Sequence, residues 1–376
     1  MSAEAMTSRE RLLAALRGDP VDRIPWSPCV DGYFLSSLPA DQMLDEREFH
    51  KEIGSDAMLR HVPLYESTAP ATGGRPGNPR VDSRMERLDD GTLRFTYETK
   101  LGSLFEELEW NPTSPFVPWY TRRKLQTLED IKVYMYALET STVNLDAEPF
   151  RKAALRLGDD GLATTSGPAS PMEHLINFEM GLEKLTYALA DDPDTMEQCF
   201  ELMHGLNLEA YAILAESEAE VVISYENLST TLTSPTLYER FDQRYCNEYA
   251  SICRGAGKTY LTHMCGRLRG FAGPLCHADQ DGFIDVAPAP TGDVAFGEAK
   301  AGWAKDKVLV GGIDATAFAR LSPEEMRVYV RELLVEIEKG AGSLHKFILG
   351  SGDALPKGTP VPVVRAVSET VCDYFS

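Results

Sequence analysis

His263, Met264 and Cys265 stand in a row, followed by Gly266. Imidazole and thiolate are both zinc ligands. On an extended strand, side chains two residues apart point to the same face, so one ion can reach both. Gly266 lets the backbone turn away directly afterwards. The same two residues also have an ordinary reading as satisfied core side chains. The tripeptide therefore needs a position in a fold before it implies chemistry.

Other reactive residue types fall at the ends of apolar runs. Val221–Tyr225 finishes on Glu226, an acid that could ligate a metal or could simply cap or pair. The run 344–349 leads into Gly350-Ser351-Gly352-Asp353, where a hydroxyl and a carboxylate could face a mouth; these types also favour plain turns. The run 161–166 leads into Gly167-Pro168 and then Met172, His174 and Phe178, a lining suited to a small apolar group. Trp26, Tyr33 and Phe34 extend that lining, which suits a methoxylated aromatic, or a quaternary ammonium through cation–π contact.

These residues need elements to hold them. Apolar, β-rich runs recur at 23–27, 56–61, 161–166, Val221–Tyr225, 258–264, Gly282–Val286, 307–311 and 344–349. Helix signals lie around them. Thr7 or Ser8 caps a helix over 7–17 that Asp19-Pro20 stops; Ser234-Pro235 opens one to about Gly255, and Ser322-Pro323-Glu324-Glu325 another to about Lys339. Strands alternating with helices imply a parallel sheet with helical crossovers. Eight strands close a barrel; an open doubly wound sheet is the alternative. In an α/β barrel the reacting groups sit at the C-terminal strand ends, which is where His263 and Cys265 fall. Residues 69–129 break the rhythm, first with Gly, Pro and Arg and then with a hairpin over 92–110 turning near Leu101-Gly102. We expect an insertion over the barrel mouth, within a single domain spanning 1–376.

Composition narrows the function classes. With 43% hydrophobic and 25% charged residues, the chain of 376 can bury a large core in water. No stretch approaches 18 apolar residues, and residues 1–11 lack the apolar centre of a secretory signal. A net charge of −21 repels phosphate backbones, which disfavours nucleic acid as a partner. Seven scattered cysteines suit reduced thiols in the cytoplasm better than a disulfide framework.

Several segments together resemble the uroporphyrinogen decarboxylase superfamily. They are residues 7–25 (TSRERLLAALRGDPVDRIP), Ile53-Gly-Ser-Asp56, Ser166-Gly-Pro168, Ser234-Pro235 with its helix, His263-x-Cys265-Gly266, residues 307–314 (KVLVGGID), and residues 350–360 (GSGDALPKGTP) followed by 363–371. The match runs in order over nearly the whole chain. It implies a (β/α)8 barrel with an N-terminal helical extension. The superfamily's decarboxylases hold porphyrinogen carboxylates with an arginine-rich motif soon after the first strand. Here residues 25–34 read PWSPCVDGYF, without arginine, which disfavours that activity.

The other branch, to which the chain is more similar, comprises zinc- and corrinoid-dependent methyltransferases. Their zinc motif is H-x-C with a distant cysteine at the last strand end. That position carries Ser351 here, and Cys372 lies too far along. The resemblance thus implies zinc on His263 and Cys265; for the missing cysteine Glu226 is the expected replacement, with Asp353 or Ser351 behind it and Tyr225 beside them. It implies methyl transfer between a small methylated substrate (methoxylated aromatic or methylamine-like), or tetrahydrofolate or a thiol, and a corrinoid. A separate corrinoid protein would carry the cobalt and dock on 69–129 and the mouth loops, because the chain lacks an Asp-x-His-x-x-Gly segment. A homodimer is left open. Two rivals stand beside this reading: a metal-independent decarboxylase using Asp56, His174 or Tyr225, and a non-catalytic barrel that binds a corrinoid or small ligand.

Overall fold

Runs of apolar, mostly β-branched residues buried on both faces are what parallel strands require, and such runs build the core here. The computed structural model describes residues 5–39, 44–70, 77–111 and 114–376. The chain divides into two compact units, one of residues 1–63, 148–166 and 218–376, the other of 64–147 and 167–217.

In the first unit all eight expected runs hydrogen-bond side by side in chain order. Val221–Tyr225, Thr259–His263, Gly282–Val286, Val308–Gly312 and Phe347–Gly350 form a parallel ladder, flanked by Thr165–Gly167. Gly161–Ala163, just ahead of Thr165–Gly167 in the chain, pairs in parallel with Ala57–Leu59. Residues 24–27 close the ring. Ser27 N donates to Leu349 O (2.8 Å), Leu349 N to Pro25 O (2.9 Å), and Asp56 N to Trp26 O (2.7 Å). The architecture is the expected (β/α)8 barrel, not the open sheet.

Side-chain alternation sorts the strands into an inner and an outer face. Met58, Leu162, Val221, Ile223, Leu261, Ile284, Val308, Val310 and Ile348 form one buried cluster inside. Leu12, Ala15 and Leu16 of the helix Ser8–Arg17 join it, so that helix plugs the N-terminal end of the barrel. Thr7 and Glu10 cap the helix reciprocally, and Gly18 ends it at φ 80°, one residue before the expected stop. On the outer face Phe283, Leu309 and Phe347 belong to the cluster holding Leu333, Leu334 and Ile337 of the helix Pro323–Ala341. The helix expected after Ser234-Pro235 runs as Pro235–Tyr238, a wider turn at Glu239–Gln243, and Arg244–Gly255.

Asp56 closes the plugged end electrostatically. Its carboxylate accepts from Arg11 Nη1 (2.6 Å), Arg23 Nη1 (2.8 Å), Arg23 Nη2 (3.2 Å) and Trp26 N (3.0 Å). With both oxygens engaged at the start of its strand, Asp56 is a structural anion.

The second unit holds the four-stranded antiparallel sheet Asp82–Arg87, Leu93–Thr99, Gly102–Asn111 and Ser114–Arg122. The expected hairpin is its middle pair, turning at Lys100-Leu101. The sheet is joined in this unit by the pair Tyr65–Ser67 and Val143–Leu145 and by the long helix Pro193–Glu216. Lys124 is fully buried there between Glu106 (3.3 Å) and Glu179 (2.7 Å), and Tyr97 donates to Glu106 (2.8 Å). Among the described residues no helix is long and apolar enough to cross a membrane.

Candidate active site

Strand parity carries the inner face up to the C-terminal ends of the strands. Val221 and Ile223 point inward, so Tyr225 does; Leu261 leads to His263 and then Cys265, and Met58 leads to Arg60. Arg60, Tyr225 and His263 line one cavity of about 410 Å³. Cys29 and Asp353 reach it from the loops after the first and last barrel segments. Ser351 ties those loops together, accepting from Cys29 N (2.8 Å) and donating to Asp353 O (2.6 Å).

Asp285 enters the cavity against the parity of its strand. Ile284 faces inward, so the next residue should face out. A register shift between Ile284 and Val286, with Asp285 at φ 64°, swings the carboxylate inward instead. The left-handed backbone costs of order 1 kcal/mol, and Asp tolerates it better than most residues. The return is a shared anion: Asp285 Oδ2 receives His263 Nδ1 (2.8 Å) and Arg60 Nη1. Tyr225 stacks on His61 (4.1 Å between centroids, 22° between planes) and lies 5.0 Å from the His263 ring. The sequence reading missed both residues: parity with Met58 could have found Arg60, and nothing in the sequence announced the bulge at Asp285.

The charges are strongly coupled. Burial alone would lower the His263 imidazolium, but hydrogen bonds to Asp285 and Cys265 outweigh it and raise the ring well above the usual imidazole range. Burial would raise Asp285, yet Arg60 and His263 hold it below the usual carboxylate range. His61 is pushed down to about 4 by burial and by Arg60, so it is neutral at pH 7. Burial pushes the Cys29 thiol up to about 12 and Glu46, also on the cavity wall, up to about 8.

Of the expected metal ligands, His263 and Cys265 are brought together. With Nδ1 engaged by Asp285, Nε2 is the ring nitrogen left for an ion, the usual carboxylate–histidine support of a bound metal. Glu226 stands apart from them. It follows Tyr225 on the opposite face, where its carboxylate accepts from the Ser224 hydroxyl and meets the buried Cys246 thiol. The Ser351 hydroxyl is spent on its own loop. Asp353 lines the cavity, accepting from Ala354 N (2.7 Å). Among the described residues no three His, Cys, Asp or Glu side chains are grouped to hold an ion. The donor chemistry suits zinc at two positions, and the third is unassembled.

The expected apolar lining is dispersed. Trp26 is fully buried in the outer core beside Phe318, and Phe34 is buried edge-on to Phe49. Tyr33 lies 5.5 Å from the Lys357 ammonium. Met172, His174 and Phe178 belong to the second unit. There Met172 is buried, and His174 packs on Phe178 and bonds Glu179 (3.0 Å). The cavity wall at Arg60, His263 and Asp285 is charged, where an aromatic box was expected.

The family model for uroporphyrinogen decarboxylase (URO-D) matches residues 114–374, more than half of the chain. The chain belongs to the URO-D family. None of the curated proteins matches it. Among solved structures, a methyltransferase from Methanosarcina mazei is similar with a TM-score of 0.63 at 14% identity, covering 99% of this chain and 100% of that one. Dispersin B is similar at 9% identity over 92% of this chain and 99% of that one, with a TM-score of 0.36, too low to carry an argument. At 14% identity the likeness to the methyltransferase is one of fold, and it agrees with the barrel of this URO-D chain.

Proposed function

We propose that this URO-D family member is an enzyme that moves a methyl group between a small methylated substrate and a corrinoid held by a separate protein. One observation carries the reading. At a barrel strand end, His263 has Nδ1 fixed by Asp285 and Cys265 two residues on, the arrangement of a supported zinc pair. The fold shared with a methyltransferase from Methanosarcina mazei supports it.

In this reading His263 Nε2 and Cys265 Sγ would hold zinc, and Asp353 on the same cavity wall is the candidate third ligand in place of Glu226. When bound, zinc supplies Lewis acidity to a thiol or to a departing oxygen. The chain's own residues do the rest. Asp285 fixes the His263 tautomer, Arg60 fixes Asp285, and His61 and Tyr225 stack beside them to hold a substrate in line. Arg60 makes the cavity unsuited to a methylammonium, so a neutral or anionic methyl donor is favoured.

The test is metal analysis joined to methyl transfer onto cobalamin in its reduced Co(I) state. The wild type should carry about one zinc per chain and react, and His263→Ala and Cys265→Ala should lose both properties. Metal-free protein with unchanged turnover in His263→Ala overturns the proposal. Decarboxylation is the second reading, favoured by Arg60 as a carboxylate partner; it has to proceed without Asp56, which is spent at the other end of the barrel.

A further inference from the structure

Arg60 has more hydrogen-bonding capacity than its neighbours use. Its side chain is 5% exposed and its Nη1 is on Asp285. Nε and Nη2 are buried without a hydrogen-bond partner. Those two nitrogens share one edge of the guanidinium, the edge that receives a carboxylate side-on through two parallel N–H···O bonds. The Tyr225 hydroxyl is likewise buried without a partner and lines the same cavity. So is Asp285 Oδ1, an acceptor awaiting a hydroxyl or amine.

An unpaired donor edge of a buried guanidinium is expensive, because desolvated donors lose their water bonds and gain nothing back. We infer that the Nε–Nη2 edge of Arg60, with the Tyr225 hydroxyl, is the receptor for a carboxylate on the small substrate of this cavity. The inference rests on the cavity being the active site, and it names the substrate class: a small carboxylic acid, with a hydroxyl or amine near enough to meet Asp285.

The charges around the edge permit this. Arg60 pairs with Asp285 through Nη1 alone, so its other edge stays open to an incoming anion. Three further acids line the cavity. Asp31 spends its carboxylate capping the following helical turn through Phe34 N (2.7 Å), and Asp353 accepts from Ala354 N. Glu46 is held largely protonated at neutral pH by its burial. His61 is neutral and adds no competing cation.

The test is binding, independent of turnover. Acetate, benzoate and 4-methoxybenzoate are each titrated calorimetrically against the matching neutral amide, at pH 7, in wild type, Arg60→Lys, Arg60→Gln and Tyr225→Phe. At least one acid should bind wild type tenfold or more tighter than its amide. Arg60→Lys keeps the ion pair with Asp285 but not the fork, and should lose about tenfold of that preference. Arg60→Gln should abolish it, and Tyr225→Phe should weaken the acid a few-fold without touching the amide. Equal affinity for every acid and its amide in wild type overturns the inference, as does an unchanged preference in Arg60→Lys. Carboxylate binding without methyl transfer defeats only the proposed activity. Methyl transfer without carboxylate preference defeats only this assignment.

Discussion

Replacing Asp56 with Asn removes the charge from a group that is fully buried and accepts four hydrogen bonds. Three of those bonds come from guanidinium groups, and bonds to charged groups are worth roughly 1.5–3 kcal/mol each. Not all of that is lost. Arg11 keeps Asp22 at 2.6 and 2.8 Å, Arg23 keeps Ile24 O at 3.0 Å, and Asn can still accept from Trp26 N. What remains is the usual cost of breaking a buried ion pair, about 3–4 kcal/mol. At roughly 2.1 cal/mol/K of unfolding entropy per residue, a chain of 376 residues should lose about 4–5 °C in Tm. Calorimetry reads the shift, and carboxylate binding at the mouth, measured well below the transition, should stay within about twofold of wild type because the anion stabilises without touching ligand. A variant with an unshifted Tm and a tenfold loss of binding or turnover would refute this reasoning and return Asp56 to the reacting groups.

Further outcomes follow from other buried groups. Lys124→Met leaves Glu106 and Glu179 buried without their cation and should cost about 3–5 kcal/mol in urea unfolding; a loss under about 1 kcal/mol would show that the trio is not a working ion network. His50 is pushed down to about 3, first by burial and then by the charge of Arg60, and its ring meets Ser55 at 2.6 Å. Its folded pKa lies below its unfolded one, so its contribution is complete above about pH 6.5 and lost as pH falls towards 3. Unfolding free energy should drop between pH 6.5 and 5, and His50→Gln should flatten that drop; an equal slope in the variant would assign the acid sensitivity elsewhere. Gly161→Ala would place a Cβ 2.2 Å from Ala57 O, so the Ala57–Leu59 pairing must shift; soluble, fully folded variant with an unchanged Tm would contradict the tight approach.

Much of the barrel was legible because strands buried on both faces read as unbroken apolar runs, and eight such runs match the eight members of the ring. Parity along those runs also places Tyr225, His263 and Cys265 on the inner side. The same rule sends Glu226 outward, where Ser224 and Cys246 meet it, so its neighbour in sequence was no guide to its neighbour in space. Asp285 was hidden because a bulge cancels parity, and no residue type in Gly282–Val286 marks one. Trp26 and Phe34 show a different limit: an aromatic side chain near a strand end packs equally well into the core or a mouth, and here both went to the core. Beyond the hairpin, the sheet of the second unit escaped notice because Asp82–Arg87 is exposed at every residue and shows no alternation.

The ring that closes through Ser27 and Leu349 also dictates when the barrel can exist during synthesis. Its two closing segments lie more than three hundred residues apart, so a nascent chain holds an open, unpaired edge until Phe347–Gly350 is made. Pairings of such long range are slow to form, and exposed edges recruit other chains. Ribosome-bound chains halted before Phe347 should therefore be markedly protease-sensitive and chaperone-dependent, with protection appearing abruptly once Phe347–Gly350 has left the exit tunnel.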